Sequence, residues 1–361
     1  MGQHREKPRS GAFRALGFTL LAVTLLGGGY VVLLALERGE TESRRADRFA
    51  SGDREPVAAP SPSPSPSPTA EPRETLVIHG TGDVNLDPSY ISTFASNGYG
   101  YAWSGLGGLF RRDDLTIVNL ECPASDAGTI IPKEFNFRCD PDALPAMRQA
   151  GVEVANQGNN HGYDYGPDAL MNSVENLRAS GIRPVGAGRN DRAALRPAIL
   201  EMKGWRVAVV GIGMVVDPAG SVAAPGHPGI AAGHDTSAML EAIREAGRST
   251  DLVVVTIHWG VELDTEPRVE QVELGHAFVE AGADVVFGHH SHRLQPVTHH
   301  RGRPIFWGLG NFVWPDFSAE GATTAVARAV VMPDGTVRGR LLPAFIDAPG
   351  HPVLLHGADR S

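Results

Sequence analysis

The sequence is poor in three things, and each shortage removes a class of protein. It has no basic excess: 32 Lys and Arg stand against 41 Asp and Glu, a formal net charge of −9. Nucleic-acid binding draws on basic stripes, so no nucleic-acid partner is expected. An anionic substrate would need a locally positive groove. There are two cysteines, Cys122 and Cys139, and neither lies in a Cys-x-x-Cys pair. That argues against a zinc knuckle and leaves one structural disulfide, provided the domain is exported. Internal repeats are also absent, which argues against an array of stacked units.

What is present suffices for one large globular domain: 361 residues, 42% of them hydrophobic. Residues 1–14 form a basic tail carrying Arg5, Lys7, Arg9 and Arg14. Residues 15–36 carry no charge, and about 22 apolar residues are enough to span a bilayer. The run ends Leu34-Ala35-Leu36-Glu37, a poor cleavage site, so an uncleaved anchor is expected over a cleaved signal. The basic flank precedes the span, which predicts a single-pass cell-membrane protein with an extracytoplasmic C-terminal domain. Residues 37–74 read as a disordered linker, because the Pro-Ser repeats from Pro60 to Pro68 cannot bury a core. The domain is expected over 75–350, with a tail at 351–361.

Within that domain, apolar strands end again and again in side chains able to bind metal. Leu76-Val77-Ile78-His79-Gly80 leads to Gly82-Asp83. The next strand, Leu115 to Leu120, closes on Asn119 and Glu121, which share a face. A carboxylate at the end of a buried strand is costly unless paired or metal-bound. Val152 to Asn156 leads into Asn159-Asn160-His161. An Asn oxygen is a usable metal ligand, and the adjacent histidine can act in acid–base chemistry; an Asn-rich turn is the plainer reading. Asp251 to Gly260 contains a buried parallel strand ending in His258, and Asp284 to Phe287 leads into Gly288-His289-His290-Ser291-His292. Residues two apart project the same way, so His290 and His292 can share a centre while His289 turns to packing. Helices are expected from Pro167 to Ala179, Met239 to Ala246 and Val269 to Ala283. A hairpin is expected over Ala325 to Leu342 about Asp334-Gly335.

In order, Gly82-Asp83, Asn119-Leu120-Glu121, Asn159-Asn160-His161, His258-Trp259-Gly260, Gly288-His289-His290-Ser291-His292 and Gly310-Asn311-Phe312 resemble the CapA, or poly-γ-glutamate capsule synthesis, family of the calcineurin-like metallophosphatase superfold. The resemblance covers roughly residues 75–350. It implies an α/β fold, a four-layer α/β/β/α sandwich, with two divalent metal ions (Mn, Fe or Zn) at the strand ends. Asp83 and His292 would then bind the first metal, Glu121 would bridge, and Asn160, His258 and His290 would bind the second. His161 would be the general acid or oxyanion stabiliser. The superfold's usual histidine two residues after the first aspartate is replaced here by Asn85.

Lys133 and Arg138, between the cysteines, together with Arg293 and Asn311, are the candidate contacts to an anionic substrate. Ordinary surface charge is the alternative for all three cations. The function implied is synthesis, export or processing of poly-γ-glutamate or a related extracytoplasmic polymer, alongside capsule synthesis or export proteins. A secreted metallophosphoesterase and a non-catalytic, metal-containing scaffold of an export complex are the alternatives.

Overall fold

A computed structural model describes residues 72–218, 220–232 and 236–356. The expected anchor at 15–36 and most of the linker lie outside the described residues. In chain order the strands are β1 (Leu76–Val84), β2 (Leu115–Leu120), β3 (Val154–Asn156), β4 (Arg183–Val185), β5 (Ala187–Gly188), β6 (Ala198–Met202), β7 (Trp205–Gly213), β8 (Gly229–Ile230), β9 (Leu252–His258), β10 (Val285–His289), β11 (Val297–His300), β12 (Arg303–Phe306), β13 (Asn311–Val313), β14 (Thr323–Val331), β15 (Val337–Ala348) and β16 (His351–Leu354). One sheet has the order β16-β15-β14-β1-β2-β3-β4, with β13 also paired to β1. A second runs β11-β12-β10-β9-β7-β6, and β5 pairs with β8.

Strands β7 and β9 read as unbroken apolar runs because both of their faces are covered. Val207, Val209, Leu252 and Val254 meet Leu76, Ile78, Leu115 and Ile117 of the other sheet in a shared inner core. Their alternate neighbours Ala208, Val210, Val253, Val255 and Ile257 pack under the helices Thr236–Ser249 and Val269–Ala281. The outer face of the first sheet, with Val118, Leu120 and Ala155, is covered by Leu144 and Met147 of the helix Leu144–Ala150. The layers therefore run helix, sheet, sheet, helix. Phe287 and Phe306, both fully buried between the sheets, each contribute about 2–3 kcal/mol through burial.

The pairs β1–β2, β2–β3, β7–β9 and β9–β10 are all parallel, so their carboxyl ends lie together. In register, Asp83 faces Asn119, Asn119 faces Asn156, and His289 faces His258. The tail of the domain turns antiparallel, with β14 and β15 joined through Gly335 at φ 85°.

Two expected boundaries move. Strand β16 pairs with β15, so residues 351–354 belong to the sheet rather than to a tail. At the other end, the Glu74 amide donates to the Lys203 carbonyl at 3.1 Å, and Trp205 Nε1 donates to the Glu74 carbonyl at 2.7 Å. Arg73 pairs with Asp251 and stacks over Trp205. The linker thus ends before Arg73. The causes differ: Arg73 and Glu74 gain a place by pairing with residues distant in sequence, whereas 351–354 fold straight back on β15.

Candidate metal centre

The site is built where β1 and β2 of one sheet meet β9 and β10 of the other. Gly82 makes the approach feasible, since a Cβ there would collide with the Gly310 carbonyl. Asp83 follows it, fully buried. Its Oδ1 accepts from Asn119 Nδ2 at 2.9 Å, and its Oδ2 lies 3.2 Å from His292 Nδ1. Glu121 follows β2 and is also fully buried. His258 Nε2 lies 3.5 Å, and His292 Nε2 3.9 Å, from Glu121 Oε1. The rings of His258 and His290 are 4.6 Å apart between centroids.

His290 and His292 both have positive φ, 85° and 51°. Such backbone is strained for a residue with a Cβ, by about 1–3 kcal/mol each, and is retained only where the surroundings enforce it. Here the enforcement includes the His290 amide directed at Asp83 Oδ2, 3.3 Å away, and His292 Nδ1, 2.8 Å from Asn311 Oδ1.

Potential ligand atoms of Glu121, His258 and His290 lie within 4.8 Å of one another, as do those of Asp83, Glu121 and His292. The two triads share Glu121. Glu262, His290 and His292 form a third. Asn160 sits on the loop after β3 with its Oδ1 buried and unpartnered. Both oxygens of Glu121, His258 Nε2 and His290 Nδ1 are likewise buried without a hydrogen bond. Buried polar atoms ordinarily find partners. Several orphans of mixed O and N type around one carboxylate fit a divalent metal, and the residues present are suited to hold one.

The electrostatics agree. Burial, and then the charge of Asp83, push Glu121 well above the usual carboxylate range. Burial would raise Asp83 too, but its hydrogen bond to His292 and the charges of His292, His289 and His290 hold it below its ordinary value. Burial lowers His290 to about 4 and takes His258 well below its usual value, so both rings are neutral and able to coordinate. His292 is opposed by burial yet raised to about 9 by Glu121 and Asp83.

Other expected residues have different partners. Lys133 does not face solvent: its Nζ lies 2.6 Å from Asp164 Oδ1 and donates to the Asn160 carbonyl at 2.7 Å. The Arg138 guanidinium stacks over the Tyr165 ring at 3.6 Å and donates to the carbonyls of Asp126 and Ala127. Asn311 holds His292 on one side and the Gly321 carbonyl, at 3.0 Å, on the other. Arg293 lines a cleft of about 240 Å³ beside His161 and His292, with Tyr90, Phe135 and Trp314 among its aromatic walls. His289 lies between Thr256 and Asp83, its Nε2 2.9 Å from Thr256 Oγ1 and its Nδ1 3.8 Å from Asp83 Oδ1. Asn85 Oδ1 accepts from the Asp87 amide at 2.8 Å. Cys122 and Cys139 are disulfide-bonded.

Two residues were not expected. Asp164 Oδ2 lies 2.8 Å from His161 Nδ1, and that oxygen also accepts from the Phe137 amide at 2.7 Å. Its signal was the three-residue spacing from His161 in a turn. Glu262 is carried to the histidines by the chain reversal at Gly260, φ 87°, and had no periodic signal at all.

Fold and site together define an α/β sandwich protein with a buried carboxylate–histidine centre at its strand ends. The chain belongs to the bacterial capsule synthesis protein family PGA_cap, whose pattern matches residues 77–316. It is 29% identical over 241 residues to the PGA biosynthesis protein CapA of Bacillus subtilis, an alignment covering 66% of this chain and 63% of that one. It is 28% identical over 281 residues to the capsule biosynthesis protein CapA of Bacillus anthracis, covering 76% and 68%. The match thus spans slightly under two thirds of the Bacillus subtilis protein's length. Among solved structures, a hypothetical protein from Thermus thermophilus is similar with TM-score 0.46 and 17% identity, over 74% of this chain and 99% of that one. The NAD nucleotidase of Haemophilus influenzae is similar with TM-score 0.45 and 15% identity, over 79% and 54%.

Proposed function

We propose that this chain is a metal-dependent hydrolase or transferase that acts on poly-γ-glutamate, or a related anionic polymer, outside the cytoplasm. Residues 15–36 would anchor it in the cell membrane, beside other capsule synthesis or export proteins. The observation that carries the reading is Glu121: a fully buried carboxylate with no hydrogen-bond donor on either oxygen, ringed by His258, His290, His292 and Asp83. Removing such a group from water is unfavourable by several kcal/mol unless a cation compensates it. Asp83, Glu121, Asn160, His258, His290 and His292 would hold two divalent ions, Mn, Fe or Zn, with Glu121 shared between them. When bound, such ions polarise a carbonyl or phosphoryl oxygen and lower the pKa of water.

The protein's own groups act around that centre. Asp164 takes the Nδ1 proton of His161 in a hydrogen bond and so sets the ring's tautomer and orientation. Nε2 is then the atom that exchanges a proton with the reacting group. Burial lowers His161 despite Asp164, so the ring rests neutral and acts first as acceptor. Once charged, it can return the proton to a leaving group. Arg293 orients an anionic group at the cleft mouth, and the aromatic walls limit water there.

The test is metal analysis of the full chain purified without chelator, followed by turnover of poly-γ-glutamate and of a phosphate ester with Mn. Bound metal with glutamyl turnover supports the reading. Turnover of the phosphate ester alone would replace it with a phosphoesterase. Absence of bound metal, together with no effect of His290→Ala, would end it.

A further inference from the structure

Away from the metal centre, a groove of about 820 Å³ lies between the helix Gly166–Ala179, strands β4 and β5 and the short helix Asp191–Ala194. It shares no lining residue with the cleft at the metal centre. Five arginines line it: Arg178, Arg183, Arg189, Arg192 and Arg196. They are accompanied by one acidic residue, Glu175. All five are exposed. Among the described residues none of the five is in an ion pair, and the one hydrogen bond from their side chains runs from Arg183 to the Ile199 carbonyl, 2.9 Å.

This arrangement is unlike the rest of the surface. Elsewhere the exposed arginines commonly have carboxylate partners, as Arg148 has Glu153, Arg248 has Glu241 and Arg268 has Asp264. The chain as a whole carries −9, yet here arginines from two helices, a strand and two connecting segments line one concavity. Five like charges gathered around a single carboxylate repel, and a concave wall strengthens their common field toward solvent. The groove is therefore a local positive field on a negative protein.

We propose that this groove is a binding subsite for a polycarboxylate chain, separate from the metal centre. This rests on the reading of the protein as one that handles an anionic polymer, and adds where that polymer is held. Every cation of the groove is arginine. A guanidinium is planar and meets a carboxylate with two parallel N–H donors, so a chain bearing one carboxylate per unit can engage several forks in turn. Each contact is weak when exposed, but contacts along one chain act together. A polymer tethered in the groove meets the metal centre at raised effective concentration.

The experiment is fluorescence anisotropy of labelled poly-γ-glutamate titrated with the full chain, in EDTA so that the metal centre contributes little, at low and at high salt. Wild type should bind at low salt and weaken as salt rises. The triple variant Arg178→Glu, Arg189→Glu, Arg192→Glu should bind at least tenfold more weakly, with a flatter salt response and an unchanged unfolding midpoint. Its turnover of a two- or three-residue glutamyl substrate should match wild type, while turnover of long polymer falls. Wild-type binding that survives the triple substitution would overturn the groove and leave the metal-centre reading intact. Failure of wild type to bind the polymer would overturn it as well. Polyphosphate held in preference through the same arginines would overturn the carboxylate assignment. If no glutamyl substrate is turned over, the catalytic reading fails, while the anisotropy still decides the groove.

Discussion

Lys133 and His161 grip opposite oxygens of a single carboxylate, Asp164: Nζ lies 2.6 Å from Oδ1 and Nδ1 lies 2.8 Å from Oδ2. Lys133 arrives on the loop closed by the Cys122–Cys139 disulfide, and its Nζ also holds the carbonyl of Asn160. One ammonium thus ties the disulfide loop to the turn presenting Asn160 and His161. That makes Lys133 a positioning residue rather than a substrate contact.

Lys133→Met should destabilise the protein by about 3 kcal/mol, because it strands a buried carboxylate. Urea unfolding measures this, with an unchanged slope if only stability alters. A variant as stable as wild type would mean that the pair is not buried in solution.

His161→Ala should lower turnover about 100-fold or more while leaving metal content intact. Asp164→Asn should lower it too, since the ring loses the acceptor that sets its tautomer. His258→Ala and His290→Ala should instead lose metal. Elemental analysis beside the rate assay separates the two groups, and loss of metal in His161→Ala would move that residue among the ligands.

Chelation should lower the thermal unfolding midpoint, and Mn or Zn should restore it. At a free metal concentration 100 times the dissociation constant, the gain is about 2.7 kcal/mol. The gain arises as the orphaned atoms of Glu121, His258 and Asn160 acquire a partner. A midpoint indifferent to every divalent ion would count against a metal centre.

Reducing or replacing the Cys122–Cys139 bond, which joins residues 17 apart in sequence, should cost about 3 kcal/mol. The loop bearing Lys133 is then less constrained, so the Cys122→Ser, Cys139→Ser double variant should also lose turnover beyond what partial unfolding explains. A stable, fully active double variant would show that the loop holds its shape without the bond.

Much of the architecture was legible in the chain because buried parallel strands advertise themselves as apolar runs. The strand expected over Leu76–Gly80 begins in place and runs on to Val84, Leu252–His258 falls within the expected Asp251–Gly260, and the helix Gly166–Ala179 agrees to within a residue. Short edge strands did not advertise themselves. Arg183–Val185 has only three residues, Val297–His300 is largely polar, and both exist through pairing with a neighbour. The strand-end positions of Asp83, Glu121, His258, His290 and His292 were legible for a related reason: a polar residue closing an apolar run must be accommodated by something.

By itself the sequence determined the central strands, the order of the metal-capable strand ends and the family, since these depend on local pattern and residue type. Only the tertiary structure decided which charges are available. It turned Lys133 inward onto Asp164, stacked Arg138 on Tyr165 and brought Glu262 to His290 and His292. It also drew five separate arginines around one groove. The physical reason is that a charge acts according to its distances and its dielectric surroundings, and residues far apart in the chain set both.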